Sequence, residues 1–99
     1  MNIMIRHICM FKFKEENKEQ NIKEAVKRSS SLNEIKSLKR LEVVTNAEGT
    51  PESNYEFSLI CDFDSIDDLN QYQKDPIHLE FGKFIKEVRD GRACIDYEF

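Results

Sequence analysis

Residues 55–69, "YEFSLICDFDSIDDL", join a predicted strand to a predicted helix that begins with a capping residue. Alternate side chains through residues 55–63 form one strongly apolar face, which predicts a strand: Tyr55, Phe57, Leu59, Cys61 and Phe63. Ser65 and Asp68 then form a pair that resembles a capping box, so a helix is predicted to begin there and to run to about Lys74. The stretch therefore predicts a strand that is followed along the chain by a helix.

Periodicity on either side of this stretch predicts the other elements. Residues 3–13 alternate over their whole length, which is typical of a strand, and both of their faces carry apolar side chains. The remaining predicted elements are an amphipathic helix over 15–36 that weakens near residue 30, a strand over 39–46 and a loop over 47–54.

Residues 71–84, "QYQKDPIHLEFGKF", predict a junction between two helices. Proline disfavours helical geometry in the residue before it and suits the first position of a helix. We therefore expect Asp75 to cap a new helix that begins at Pro76. This helix is predicted to end with Gly91 as its C-cap glycine, before a last strand over residues 93–99.

The predicted order, β-α-β-β-α-β, is the ferredoxin-like α+β arrangement, with one antiparallel sheet and the helices on one of its faces. Its 99 residues are enough for one small domain, residues 1–99. The helix-free face is predicted to carry six apolar side chains: Met4, Ile8, Met10, Ile60, Ile95 and Tyr97. We expect a second copy to cover this face and form a homodimer; the alternative is a monomer with an apolar sheet surface.

Composition and charge exclude several classes of partner. The net charge is −4 and the basic residues are scattered, so no nucleic-acid partner is expected. No apolar run approaches the roughly 20 residues of a membrane span, so no membrane partner is expected either. The three cysteines, Cys9, Cys61 and Cys94, are odd in number and lack a Cys-x-x-Cys pair. They predict free thiols in a cytoplasmic protein without a disulfide framework.

His78 and Tyr72 are the candidate catalytic residues. His78 would lie in the first turn of the helix that begins at Pro76, where the positive helix end favours a neutral imidazole. The break before Pro76 lets the chain fold Tyr72 towards His78. The pair could then act as a general base and as a phenol that orients the base or donates to a carbonyl. The alternative interpretation is that both residues only pack at a helix–helix elbow.

A metal site is not expected from the sequence. His7 and Cys9 share one face of the first strand, and with the other cysteines they would bind a metal only if they converged. No standard zinc-ligand spacing is present, so neither a metal nor another cofactor is predicted.

Three segments together resemble the stress-responsive dimeric α+β barrel (Dabb) family. The first is "IRHICMFKFK" at 5–14, with the family's H-x-x-x-F-K pattern. The second is "NYEFSLICDFDSIDDLNQYQKDPIHLEFGKFIKEV" at 54–88, with a Tyr-x-x-x-Pro-x-His pattern. The third is "IDYEF" at 95–99, which resembles the last strand of the family.

This resemblance implies a ferredoxin-like subunit and a homodimer in which two sheets form a barrel. A plant polyketide cyclase of the family has a catalytic histidine and tyrosine that match His78 and Tyr72. Its first-strand pocket histidine matches His7, so the resemblance implies His7 as a third candidate catalytic residue. A pocket between sheet and helices is implied, with these wall residues: Cys9, Phe11, Leu59, Phe81 and Cys94. The expected function is a cofactor-free cyclase or isomerase acting on a small carbonyl compound. The alternative is a non-catalytic stress-responsive dimeric module or a small-ligand binder.

Overall fold

Four antiparallel strands form one sheet, and helices cover one of its faces. The structure, a computed structural model, describes residues 3–99. In chain order the elements are β1 (Ile5–Phe13), α1 (Lys18–Ser29), a 3₁₀ turn (Ser30–Glu34), β2 (Arg40–Thr45), β3 (Phe57–Phe63), α2 (Ile66–Lys74), α3 (Pro76–Val88) and β4 (Arg89–Glu98). None of the helices in this part of the chain combines the length and apolar character needed to cross a bilayer.

The strand order across the sheet is β2-β3-β1-β4, so β1 lies between β3 and β4. β1 pairs with both neighbours in antiparallel fashion, and β2 pairs with the outer side of β3. This is the predicted ferredoxin-like α+β fold. The first and last strands of the chain are therefore direct neighbours.

The strand register sorts the side chains of β1 onto two surfaces. His7 is opposite Cys61 of β3 and Asp96 of β4, and these side chains point to the helix-covered face. Ile8 is opposite Ile60 and Ile95 on the other face. The helix-covered face contributes most of the buried sheet residues of the core: Ile5, Cys9, Phe11, Phe13, Phe57, Leu59, Cys61 and Phe63.

The helix-free face remains partly apolar and open in the single chain. Ile95 is 61% exposed, and Met10 and Tyr97 are each 39% exposed. The same face carries a bidentate ion pair, in which the Arg6 guanidinium donates to both carboxylate oxygens of Asp62 at 2.8 and 3.0 Å. Since the Asp62 carboxylate is buried, this pairing removes most of the free-energy cost of a desolvated charge.

The first helix ends where three serines follow one another. The hydroxyls of Ser29, Ser30 and Ser31 each donate to the backbone carbonyl three residues earlier. Serine side chains compete in this way for carbonyl groups that a continuing helix would use. α1 accordingly gives way to the 3₁₀ turn at Ser30, close to the predicted weakening.

Side-chain caps start the two helices that follow β3, as predicted. Ser65 Oγ accepts a hydrogen bond from the Asp68 amide at 3.1 Å, and this fixes the first turn of α2. Asp75 Oδ1 accepts one from the Ile77 amide at 2.9 Å, and Pro76 is the first residue of α3.

The prediction that Gly91 caps the end of the last helix is wrong. α3 ends at Val88, and Arg89 is already extended with φ −86° and ψ 148°. β4 therefore begins at Arg89 instead of residue 93, because the chain passes from helix to sheet without a left-handed residue. Gly91 is a strand residue opposite Lys12, next to an irregularity in the β1–β4 register.

Replacing the cap of α3 should destabilise the protein measurably. We expect Asp75→Ala to lower the free energy of unfolding by about 1 kcal/mol, because the Ile77 amide loses its side-chain acceptor. Asp75→Asn, which retains an oxygen acceptor, is the matched control and should cost clearly less. Urea unfolding monitored by circular dichroism measures both, and equal losses in the two variants would contradict the capping role.

Candidate functional site

Two cross-strand pairs of β1 and β4, residues 7 and 96 and residues 9 and 94, are at non-hydrogen-bonded positions, where side chains lie closer together. Met4 and Phe99 exchange both backbone hydrogen bonds, at 2.9 and 3.0 Å, and the two kinds of antiparallel position alternate from there. Cys9 and Cys94 consequently occupy a closely spaced position without mutual backbone bonds, and their Cα atoms are 4.3 Å apart. The pair formed by residues 7 and 96 is of the same kind.

Cys9 and Cys94 are joined by a disulfide. The prediction that all three cysteines are free thiols is wrong for this pair and holds for Cys61, which is buried and free. A separation of 85 residues carries no disulfide signal in the sequence. The pairing of the first strand with the last is what places the two sulfurs together.

His7 is held by a carboxylate on the neighbouring strand. The imidazole is buried, and its Nδ1 hydrogen-bonds to Asp96 Oδ1. An ionised carboxylate can only accept, so Nδ1 is the donor of this bond; in the neutral ring, Nε2 then carries the lone pair. Sequence reasoning missed Asp96. A signal for Asp96 was present in the sequence. When the His-x-Cys of the first strand is paired antiparallel with the Cys-x-Asp of the last strand, His7 lies opposite Asp96.

The helix junction brings Tyr72 and His78 into ring contact. Their ring centroids are 4.7 Å apart with an interplanar angle of 57°. The Tyr72 hydroxyl lies in the core, hydrogen-bonded to Cys61 Sγ at 3.7 Å. Burial raises the pKa of the Tyr72 phenol far above its ordinary value and raises the pKa of the Cys61 thiol to about 11, so both groups stay protonated. The structure thus places the two rings in contact, and the Tyr72 hydroxyl is directed to Cys61.

His78 carries a buried polar atom without a partner. Its Nδ1 is inaccessible to solvent and has no hydrogen-bond partner among the described residues. Burial is the main cause that lowers the pKa of His78, and the Gln73 backbone opposes part of this effect. The positive charge of Arg92, and that of His7 when it is protonated, lower the pKa further, whereas Asp75 raises it. The imidazole is therefore neutral at neutral pH and can accept a proton.

The helix-covered face is open along its β4 edge. The helices lie over β1, β2 and β3. Three β4 side chains on that face, those of Arg92, Cys94 and Asp96, are exposed as a result. His7 itself is buried beside this edge, at 5% exposure.

Four of the five residues expected to line a pocket lie in the core, and the fifth lies at the β4 edge. Cys9, Phe11, Leu59 and Phe81 are buried, and Cys94 is exposed. Phe81 also lines an open groove of about 530 Å³ between the end of α1 and the first turns of α3, with Lys27, Arg28, Ser30, Ser31, Pro76, Ile77 and Glu80. The structure thus forms one cluster from His7, Cys9, Cys94 and Asp96, and a second from Tyr72 and His78.

Lowering the pH below the ordinary histidine range should destabilise the protein through His78. The folded-state pKa of His78 is lowered from 6.5, so below that value the unfolded chain binds more protons and the free energy of unfolding falls. His78→Gln should lose less stability than the wild type between about pH 8 and about pH 5 in urea titrations. Parallel pH profiles for the two proteins would contradict the burial effect.

Solved structures with the same fold come from bacteria and a plant. A dimeric ferredoxin-like protein of unknown function from Bacteroides fragilis is 30% identical, covers 97% of this chain and 96% of its own, and superposes with a TM-score of 0.85. A second dimeric ferredoxin-like protein, from Thermobifida fusca, is 23% identical, with coverage of 100% and 93% and a TM-score of 0.88. Hydroxynitrile lyase from Passiflora edulis is 17% identical, with coverage of 100% and 95% and a TM-score of 0.85.

A search of curated proteins found no match to the sequence.

The family comparison covers nearly the whole chain. Residues 5–99 match the family described as the stress responsive A/B barrel domain, Dabb, in agreement with the segments that pointed to it in the sequence. The chain therefore belongs to the Dabb family of stress-responsive α/β barrel domains.

Proposed function

We propose that this Dabb protein is a cofactor-free enzyme of the cyclase, isomerase or lyase type that acts on a small carbonyl compound. His78 is the general base of the proposed reaction and removes an acidic proton next to the carbonyl group. The observation that carries the proposal is the buried Nδ1 of His78, which lacks a partner and belongs to a neutral imidazole.

Two features of α3 support a base at this position. His78 lies in the first turn of the helix, where the backbone dipoles disfavour a positive imidazolium and keep the ring ready to accept a proton. An unsatisfied buried nitrogen costs free energy in the resting protein, and a ligand that supplies a proton or a donor recovers that cost. Because this nitrogen has no solvent-accessible surface, the proposed reaction requires a local opening of the helix junction that lets a substrate reach it.

The contact with Tyr72 supports an orienting role for that residue. The Tyr72 ring packs against both Phe63, at a centroid distance of 5.0 Å, and His78. Its hydroxyl bonds to Cys61, so in this conformation Tyr72 contacts His78 with its ring and not with its hydroxyl. Donation from the Tyr72 hydroxyl to a substrate carbonyl would require exchange of the Cys61 bond.

The lyase among the similar structures supports the reaction class. The Passiflora edulis protein is a hydroxynitrile lyase with the same fold, so this architecture accommodates an enzyme. Its low identity to this chain leaves the substrate open, and small carbonyl compounds and hydroxynitriles are therefore the first compounds to test.

The alternative function is a non-catalytic dimeric module or a small-ligand binder. The observation that favours it is the burial of Tyr72, which is 1% exposed with its hydroxyl satisfied inside the core. In that case Tyr72 and His78 would be packing residues of the helix junction, and the groove beside Phe81 would be the place for a ligand.

We also propose that two copies associate through the helix-free face of the sheet. Ile8, Ile60 and Ile95 lie side by side across three strands of that face, and Met10 and Tyr97 extend the apolar surface along it. The similar proteins from Bacteroides fragilis and Thermobifida fusca are described as dimeric. A two-fold dimer would bring this surface against itself and remove it from water.

Proton removal can be tested before the natural substrate is known. Solvent deuterium exchange into a panel of small ketones, keto acids and hydroxynitriles, followed by NMR, reports the proposed step directly. We expect the wild type to accelerate exchange or turnover of at least one compound and His78→Ala to lose about 100-fold or more.

Two further variants separate the roles in this experiment. Tyr72→Phe keeps the ring contact and should retain most activity if Tyr72 acts through its ring. Leu79→Ala alters an exposed neighbour on the same helix and is the matched control. Full activity in His78→Ala would show that the general base lies elsewhere, and a wild type inert toward the whole panel would support the non-catalytic alternative.

The assembly can be tested by sedimentation at micromolar concentration. We expect a mass of twice 11.7 kDa for the wild type and a monomer for Ile95→Glu, because a charge would be forced into the apolar interface. Leu79→Glu, which alters a residue that is 56% exposed on α3, is the matched control and should remain dimeric. A monomeric wild type, or a dimeric Ile95→Glu variant, would refute this interface.

A further inference from the structure

We propose that His7, Cys9 and Cys94 form a Zn²⁺ site when the disulfide between the two cysteines is reduced. Cys9 and His7 are two residues apart on the same face of β1, and Cys94 is directly opposite Cys9 on β4. One ring nitrogen of His7 and the two sulfurs all lie within 4.8 Å of one another.

The distances suit a tetrahedral ion after small side-chain movements. Zn–S bonds of about 2.3 Å and Zn–N bonds of about 2.0–2.1 Å place neighbouring ligand atoms roughly 3.5–4 Å apart. Cα atoms 4.3 Å apart let rotation about the cysteine χ1 angles set the sulfur separation without movement of the strands. The backbone of β1 and β4 therefore already has the spacing that the site needs.

The donor set selects the ion. Two thiolates and one imidazole are soft to borderline ligands, which favour Zn²⁺ over Mg²⁺ or Ca²⁺. Three protein ligands leave a fourth tetrahedral position, and the exposed side of Cys94 gives solvent or a small ligand access to it. An ion bound here would thus carry an exchangeable water.

Asp96 is the positioning residue of the proposed site. Its carboxylate accepts from His7 Nδ1, which fixes the ring orientation and directs the Nε2 lone pair away from the carboxylate. Histidines that bind metals commonly donate their second nitrogen to a carboxylate in this way. Asp96 need not touch the ion to strengthen its binding.

Access to the site depends on the redox state of Cys9 and Cys94. An external dithiol supplies two electrons and two protons, which convert the disulfide to two thiols while the dithiol becomes a disulfide. Binding of Zn²⁺ then releases the two thiol protons, and both sulfurs coordinate as thiolates. Reoxidation by hydrogen peroxide removes two electrons from the two thiolates and re-forms the S–S bond. The peroxide takes up two protons from the solvent and becomes two water molecules, and the ion is released.

This inference does not rest on the proposed enzymatic function. The general base is His78 and is not a ligand, whereas the metal site needs His7 and the two cysteines. Loss of metal binding with intact catalysis, or the reverse, would separate the two proposals.

Cobalt substitution tests the site in the intact, tag-free protein. Reduced protein titrated with Co²⁺ should bind one ion per chain and show tetrahedral d–d bands with thiolate-to-cobalt charge transfer, and Zn²⁺ should displace the ion. The disulfide form of the same protein should show neither. Equal spectra for the two redox forms, or no spectrum for the reduced form, would overturn the proposal.

Variants identify the ligands and the positioning residue. Cys94→Ser should remove most of the charge-transfer band and weaken affinity more than tenfold, and His7→Gln should weaken affinity without removing that band. Asp96→Asn should keep the band but lower affinity about 10–100-fold. Cys61→Ser, which alters the cysteine outside the cluster, is the matched control and should bind as the wild type does. Unchanged binding in Cys94→Ser would place the ion elsewhere and refute the site.

Discussion

Antiparallel hydrogen bonding of β1 to both β3 and β4 is the constraint on which the rest of the structure depends. It makes the first and last strands neighbours and fixes which of their side chains are opposite each other. Because side chains alternate along a strand, the same register assigns Ile8 and Ile95 to the helix-free face and assigns His7 and Cys94 to the helix-covered face. A shift of one residue in this pairing would exchange the two surfaces. It would abolish the proposed dimer interface and the proposed Zn²⁺ site.

Buried polar groups are paired on the helix-free face of the sheet, whereas the helix-covered side retains one that lacks a partner. On the helix-free face, the Asp62 carboxylate is neutralised by Arg6 with good geometry, so the charge is stable within an otherwise apolar surface. On the helix-covered face, His7 is paired with Asp96, but His78 keeps an unpaired nitrogen. A resting protein tolerates such a group at a free-energy cost, and functional sites are where this cost is usually found.

The sequence predicted the fold well because local signals agreed with one another. The alternation of β1 and β3, the Ser65 and Asp75 caps and the proline at position 76 all pointed to the observed elements. The end of α3 was misplaced because a glycine near a helix end is a common C-cap signal, whereas here tertiary strand pairing ends the helix. The Cys9–Cys94 bond was missed for a related reason, since it depends on strand register and has no local signature.

α3 passes directly into β4, so the helix that carries His78 and the strand that carries Cys94 are continuous along the chain. Val88 is the last residue of α3 and Arg89 is the first residue of β4. No loop therefore separates the helix that carries His78 from the strand that carries Cys94. Each of the two elements is stiffened by its own backbone hydrogen bonds. The pairing of β4 with β1 therefore holds the end of α3 at the sheet, so the register that places Cys94 opposite Cys9 also positions the helix that carries His78.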